Sequence, residues 1–273
     1  MRNNGPIIRH VSFRLAAFTI LAVAAVFTVA AIRAAGPQQA VRPRPPIRNV
    51  AQDLVVPFRA GETLNYSGQW LGMSDVVSAR LAVLTDSSFD GRPAWHFQAQ
   101  LHTKNPLRYI FAVDDQFDSH SASLDLSGMQ FESDLHESSK QSTQIVRLSP
   151  VAAPSGGGVS VVQVPPGTRD AVGFLYYLRA VDWQKTPEVH GFVFDGRKIY
   201  DVRANVATAA SSVTVQAGKF TATGISLRIF DHSTELTGIK LMLWLAQDAA
   251  HTPVLIEAEL PFGTGRVDLT PGT

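Results

Sequence analysis

The chain of 273 residues contains no cysteine. That excludes disulfide support, a thiol nucleophile and the lipid-modified N-terminal cysteine of a lipoprotein, so the core alone must hold the fold. Other catalytic signatures are missing too. No G-x-S-x-G elbow occurs, and no H-x-H or H-E-x-x-H spacing that would place two imidazoles on one metal. Ala217-Gly218-Lys219-Phe220 lacks both the upstream glycine and the Ser/Thr that a phosphate loop needs after its lysine. Catalytic residues, metal and cofactor are therefore all expected to be none. Acids are absent before Asp53, whereas seven of the 24 Lys and Arg precede Ala51. From Ala51 onward 17 basic residues face 23 acidic ones, a formal net charge of −6. An acidic body has no electrostatic footprint for nucleic acid.

The first segment is organised for export. Arg2, Arg9, His10 and Arg14 precede an uncharged run of 17 residues, Leu15 to Ala31, with no 3.6-residue stripe. A spanning helix needs roughly 20 apolar residues and a cleavable signal core about 7–15, so both fates stay open. Residues 1–35 are a signal peptide or an N-terminal anchor, and membrane contact is expected only through this segment if it is uncleaved. Residues 36–50, with Pro37, Pro43, Pro45 and Pro46, form a proline-rich linker. Residues 51–273 are expected to be a single β-rich exported domain, periplasmic or anchored in the inner membrane and facing the periplasm.

Within that body the dominant pattern is period-2 alternation. Trp95, Phe97, Ala99 and Leu101 alternate with His96, Gln98, Gln100 and His102, and Phe131, Ser133 and Leu135 with Glu132, Asp134 and His136. Asp90-Gly91 and Asp195-Gly196 are hairpin turns by composition, and Pro150 to Gly158 reads as a flexible connector between two halves. Spacing predicts roughly twelve to fourteen strands. One segment departs from the pattern. Asp170 supplies an N-cap for a helix-sized run to Val181 whose apolar residues lie almost all round, so a buried helix is expected near 170–181. The fold class is mainly β: a curved antiparallel sheet or partly open barrel with this helix against its concave face.

Phe174, Tyr176, Tyr177 and Trp244 are candidate residues for an apolar cavity with polar tips; plain core packing is the competing reading of the tyrosines. Asp115 and Asp170 are structural acids. Adjacent Asp114 and Asp115 point to opposite faces of a strand, with Asp115 placed beside Tyr109, Phe111, Val113 and Phe117. There it is either paired, with Arg108 or Arg147, or has a raised pKa. His96 and His102 lie on one face but about 20 Å apart, too far for one metal.

Five stretches together resemble one family of bacterial exported proteins, the domain-of-unknown-function family numbered 3108. They are Phe58–Tyr66, Val113–Ser119, Asp170–Arg179, Val215–Phe220, and Leu243–Asp248 with Pro253–Glu257. The resemblance implies export and a β-rich fold, and supplies no activity to carry over. Where the family pattern looks like D-P-L-S, this chain has Asp170-Ala171-Val172-Gly173. Three functions follow as expectations. The first is a non-catalytic cell-envelope protein binding an apolar or amphipathic ligand, a lipid or glycolipid, between the sheet and the 170–181 helix. The second is a structural or interaction module in envelope assembly. An enzyme, resting on Asp115, Asp134 and Asp248, comes third.

Overall fold

The computed structural model describes residues 54, 56–138, 140–261 and 263–272. The expectations for residues 1–50 lie outside them. No helix among the described residues is long and apolar enough to cross a membrane.

Sixteen strands form one curved sheet: β1 (Thr63–Trp70), β2 (Met73–Thr85), β3 (Ser88–Phe89), β4 (Arg92–Thr103), β5 (Asp114–Ala122), β6 (Gly128–Glu137), β7 (Lys140–Ser149), β8 (Ser160–Gln163), β9 (Arg169–Asp170), β10 (Glu188–Phe194), β11 (Ile199–Val215), β12 (Gly218–Asp231), β13 (Thr234–Glu235), β14 (Lys240–Ala246), β15 (Pro253–Leu260) and β16 (Gly263–Leu269). Helix α1 (Leu107–Ile110) joins β4 to β5, and α2 (Ala171–Ala180) follows β9. The lateral order is β8-β7-β6-β5-β4-β2-β1-β16-β15-β14-β12-β11-β10-β9, with β3 and β13 as side pairs. Every pairing is antiparallel except β7 with β8 and β9 with β10. The count exceeds the sequence expectation because β3, β9 and β13 span two residues each, too short for a period to register.

Alternation fixes which side faces in. On β4, Phe97, Ala99 and Leu101 are buried while His96, Gln98 and Gln100 are half-buried and His102 exposed. Asp90 and Gly91 both hold positive φ, 53° and 74°, as the tight turn before β4 requires. Pro150–Gly158 joins β7 to β8 and divides nothing: the sheet runs through both halves of the chain. The sheet curls until its flanks approach, where Gly128 N–H donates to Thr168 O at 2.8 Å and Gln144 to Gly196 O at 2.9 Å. No ladder seals them, so the barrel is partly open.

The run Tyr109–Ala112 is not the strand that the alternation implied, and pairing resumes at Val113 with a bridge to Glu137. Pro106 starts the short α1, consistent with its fixed φ and missing N–H, and Tyr109 and Ile110 are turned into solvent, 82% and 77% exposed. The predicted helix forms from Ala171 to Ala180 with Asp170 as N-cap, its carboxylate accepting from Gly173 N–H at 2.9 Å. It approaches β5 closely because Gly173 has no side chain: a Cβ there would lie 2.8 Å from Ser121 Oγ.

A second close approach lies on the outside. Trp244 faces outward with Met242 and Lys240, and its indole N–H donates to Glu257 at 2.9 Å. Its ring covers Gly224 of β12, where a Cβ would meet three ring carbons at 2.9–3.2 Å. Gly224→Ala is expected to displace the ring and cost about 1–3 kcal/mol, visible as a lower thermal midpoint and an altered tryptophan emission.

Candidate functional site

Two regions concentrate the side chains singled out from the sequence: the interior around α2 and the outer face of the sheet. Aromatic side chains pack the interior around α2. Phe97 of β4 stacks on Tyr176 of α2 at 3.9 Å between ring centroids. Phe58, from the strap before β1, contacts Trp95, Phe97 and Tyr176 edge-on at 5.0–5.3 Å. Phe174 lies against Gly191 of β10, and both Phe174 and Tyr176 are wholly buried. Tyr177 is half-buried and carries the Arg169 guanidinium over its ring at 3.7 Å. Thus Phe174, Tyr176 and Tyr177 cluster through α2, whereas Trp244 stands on the other side of the sheet.

One charged residue holds the helix to the strap. Arg179, 1% exposed, donates twice to the Glu62 carboxylate (2.6 and 3.0 Å) and once to Ala250 O (2.9 Å). Burial alone would lower its pKa; the bonds it donates to Glu62 and the charge of that carboxylate outweigh this and keep it above the ordinary value. The sequence did contain a signal, since a lone arginine in an apolar buried helix requires an acid. Its partner lies 117 positions away, and a single sequence does not identify it.

The acids separate by environment. Asp170 is wholly buried, and burial raises its pKa to about 6 against the bonds from Gly173 N–H and Ser119. Asp114 pairs with Arg108 (2.6 and 2.9 Å), which brings it down to about 2. Arg108 is therefore not the partner of Asp115, and Arg147 stands 3.5 Å from Asp90 instead. Asp115 faces inward, 2% exposed, and among the described residues accepts only the His136 N–H at 2.9 Å. Burial, helped by the Glu137 charge, raises its pKa to about 7. Of the two readings of this acid, the raised pKa holds. Asp134 accepts from Thr143, and Asp248 accepts from the backbone and hydroxyl of Thr252, so the three scattered acids do not converge.

A pH dependence follows from Asp115. Its folded pKa, about 7, lies above the unfolded value of about 3.9, so between these the native state binds more protons. Stability from this group is full at low pH and falls as pH rises from about 4 to about 7. Asp115→Asn should match wild type near pH 4 and exceed it above pH 7 by on the order of 4 kcal/mol. Urea denaturation at the two pH values checks this.

The outer face of β4 and β5 carries a ladder of side-chain hydrogen bonds. His96, Gln98 and Gln116 all reach Asp118 at 2.8–3.0 Å, and Gln100 donates to Gln116 at 2.9 Å. Burial would raise the Asp118 pKa, but these bonds hold it below the ordinary value. His102 meets Asp114 at 3.0 Å. No group of metal-ligating side chains that could hold an ion occurs among the described residues.

The ladder borders an open cleft of about 400 Å³. Its floor is two rows across β1, β2 and β4: Asn65, Arg80 and Gln100, then Ser67, Ser78 and His102. Lys104 stands on one side, and on the other Gln216, at the tip of the β11–β12 hairpin, and Thr270. A second cleft of about 570 Å³ lies between the strap (Val56 to Thr63) and Ala249-Ala250. Helix α2 lines neither. The first was illegible in sequence, because three strands and a distant hairpin meet there.

These features define a class: a partly open antiparallel β-barrel with a helix packed inside it. The chain belongs to the family described as Protein of unknown function (DUF3108), whose model matches residues 65–270. Its sequence matches no curated protein. Among solved structures it is similar to a β-barrel-like protein of domain of unknown function DUF1849 from Brucella abortus, with 9% identity and a TM-score of 0.50 over 77% of this chain and 95% of the other. At that identity the likeness is one of fold. A protein designated as exported, with a YmcC-like fold, from Bacteroides fragilis matches with 8% identity and a TM-score of 0.34 over 80% and 98% of the two chains. A protein designated a lipoprotein from Parabacteroides distasonis matches with 10% identity and a TM-score of 0.37 over 81% and 99%.

Proposed function

We propose that this chain is an exported, non-catalytic protein of the cell envelope that works as an interaction module through the outer face of its barrel. Export rests on the basic N-terminus and the Leu15–Ala31 run, followed by a proline-rich spacer. On this reading the body works in the periplasm, free or tethered to the inner membrane. The observation that carries the rest is the aromatic packing of α2 against the strap and β4. A lipid or glycolipid between sheet and helix would need the volume that Phe58, Phe97, Phe174 and Tyr176 occupy. Small-molecule sites are largely pre-formed concavities, and here the concavities described lie outside α2. The catalytic reading loses its motive because its acids are bonded locally and apart.

Cross-linking in intact cells is the test. A reproducible adduct with one envelope component, mapped to β1, β2, β4 or the β11–β12 tip, is the expected result. Recovery of monomer alone under several cross-linking chemistries would overturn the reading.

A further inference from the structure

We infer that the cleft over β1, β2 and β4 is a binding site for a hydroxyl-rich saccharide bearing an anionic group; this rests on the outer face being the working surface. The argument starts from unspent hydrogen-bonding capacity. Ser67 and Lys104 are both committed to Asp75 (2.8 and 2.7 Å), which fixes one end of the floor. His102 is committed to Asp114 and Gln100 to Gln116. Among the described residues the side chains of Asn65, Ser78 and Gln216 make no such bond, although they line the same cleft. Among the described residues Arg80 has only a long contact to Thr63 Oγ1 at 3.5 Å. Two amides, a hydroxyl and a guanidinium fork therefore remain available on a floor whose neighbours are already locked in place.

The composition selects the ligand class. The apolar members of the lining, Tyr66 and Ala79, are buried (3% and 5% exposed) and direct their side chains to the core. The cleft thus offers no aromatic or aliphatic anchor pocket of the kind that dominates protein–protein contacts. Mixed donors and acceptors in two rows suit a ligand that is itself studded with hydroxyls. Charge adds the second requirement. Arg80 and Lys104 face the single carboxylate of Asp75 in the lining, leaving one positive charge in surplus. A guanidinium fork recognises a carboxylate or phosphate through two parallel bonds, and Arg80 is the group free to do so.

The test is calorimetric titration of the full chain with a glucuronate-bearing oligosaccharide and with its uncharged glucose counterpart. The charged sugar should bind saturably and at least about tenfold more tightly. Arg80→Ala should abolish that preference while leaving the neutral sugar unchanged. Gln216→Ala should weaken both. Lys240→Ala removes an equal charge outside the cleft, where Lys240 pairs with Glu259, and should alter neither. Arg80, Gln216 and Lys240 are all exposed, so the variants should fold. Absence of saturable binding at about 10 mM, equal affinity for the two sugars, or indifference to Arg80→Ala would overturn the inference. If cross-linking still finds an envelope partner elsewhere on the surface, the interaction-module reading stands and only the cleft assignment falls.

Discussion

Replacing Arg179 by methionine is expected to destabilise the protein by about 3–5 kcal/mol, because it strands the Glu62 carboxylate and removes a buried anchor. Arg179 is 1% exposed and binds both oxygens of Glu62 together with Ala250 O. Three separate parts of the chain meet at that guanidinium: the strap before β1, the end of α2, and the loop between β14 and β15. A surface ion pair would contribute only about 0–1 kcal/mol, so the size of the loss distinguishes a latch from decoration. The double variant Glu62→Leu with Arg179→Met should recover part of the loss, since a buried pair replaced whole by apolar groups is often neutral. Denaturant midpoints for the two single variants and the double variant measure the coupling directly.

The second large effect is expected at Tyr176. Tyr176→Ala should cost about 3–5 kcal/mol by opening a cavity under Phe97 and Phe58. The ring stacks on Phe97 at 3.9 Å and meets Phe58 at 5.0 Å. Its hydroxyl is buried without a hydrogen-bonding partner among the described protein atoms. Tyr176→Phe should therefore change stability by less than about 0.5 kcal/mol, because only an unpaired polar group is removed. If the hydroxyl served a bound ligand, Tyr176→Phe would lose that ligand instead, so the pair of variants separates packing from binding. Chemical denaturation of both, followed by far-ultraviolet circular dichroism, supplies the comparison.

Local chemistry decided how much of this was legible. The α2 segment could be read because twelve residues without alternation interrupt a β pattern, and because Asp170 has the side chain that caps a helix. The turn at Asp90-Gly91 could be read because few residues accept positive φ. The side taken by Trp244 could not. Its strand, Lys240–Ala246, has apolar residues on both faces, so period 2 gives no inside or outside. Tyr109 and Ile110 continued an apparent strand in sequence, and only Pro106 hinted that the chain would turn into α1. The Arg179–Glu62 latch and the β1–β2–β4 cleft depend on residues far apart in the chain, and their geometry exists only once the sheet has curled.

Filling also explains why a β-rich chain without disulfides can stand alone. The helix supplies Phe174, Leu175, Tyr176 and Leu178 to the interior, and the strap adds Phe58. These side chains pack against the concave face of the sheet.

Native mass spectrometry of the protein extracted from the envelope without denaturation tests that account most directly. A folded chain carrying no stoichiometric lipid, whose mass is unchanged by organic extraction, is the predicted result. A lipid adduct at one per chain, lost on unfolding and absent from Tyr176→Ala, would contradict it.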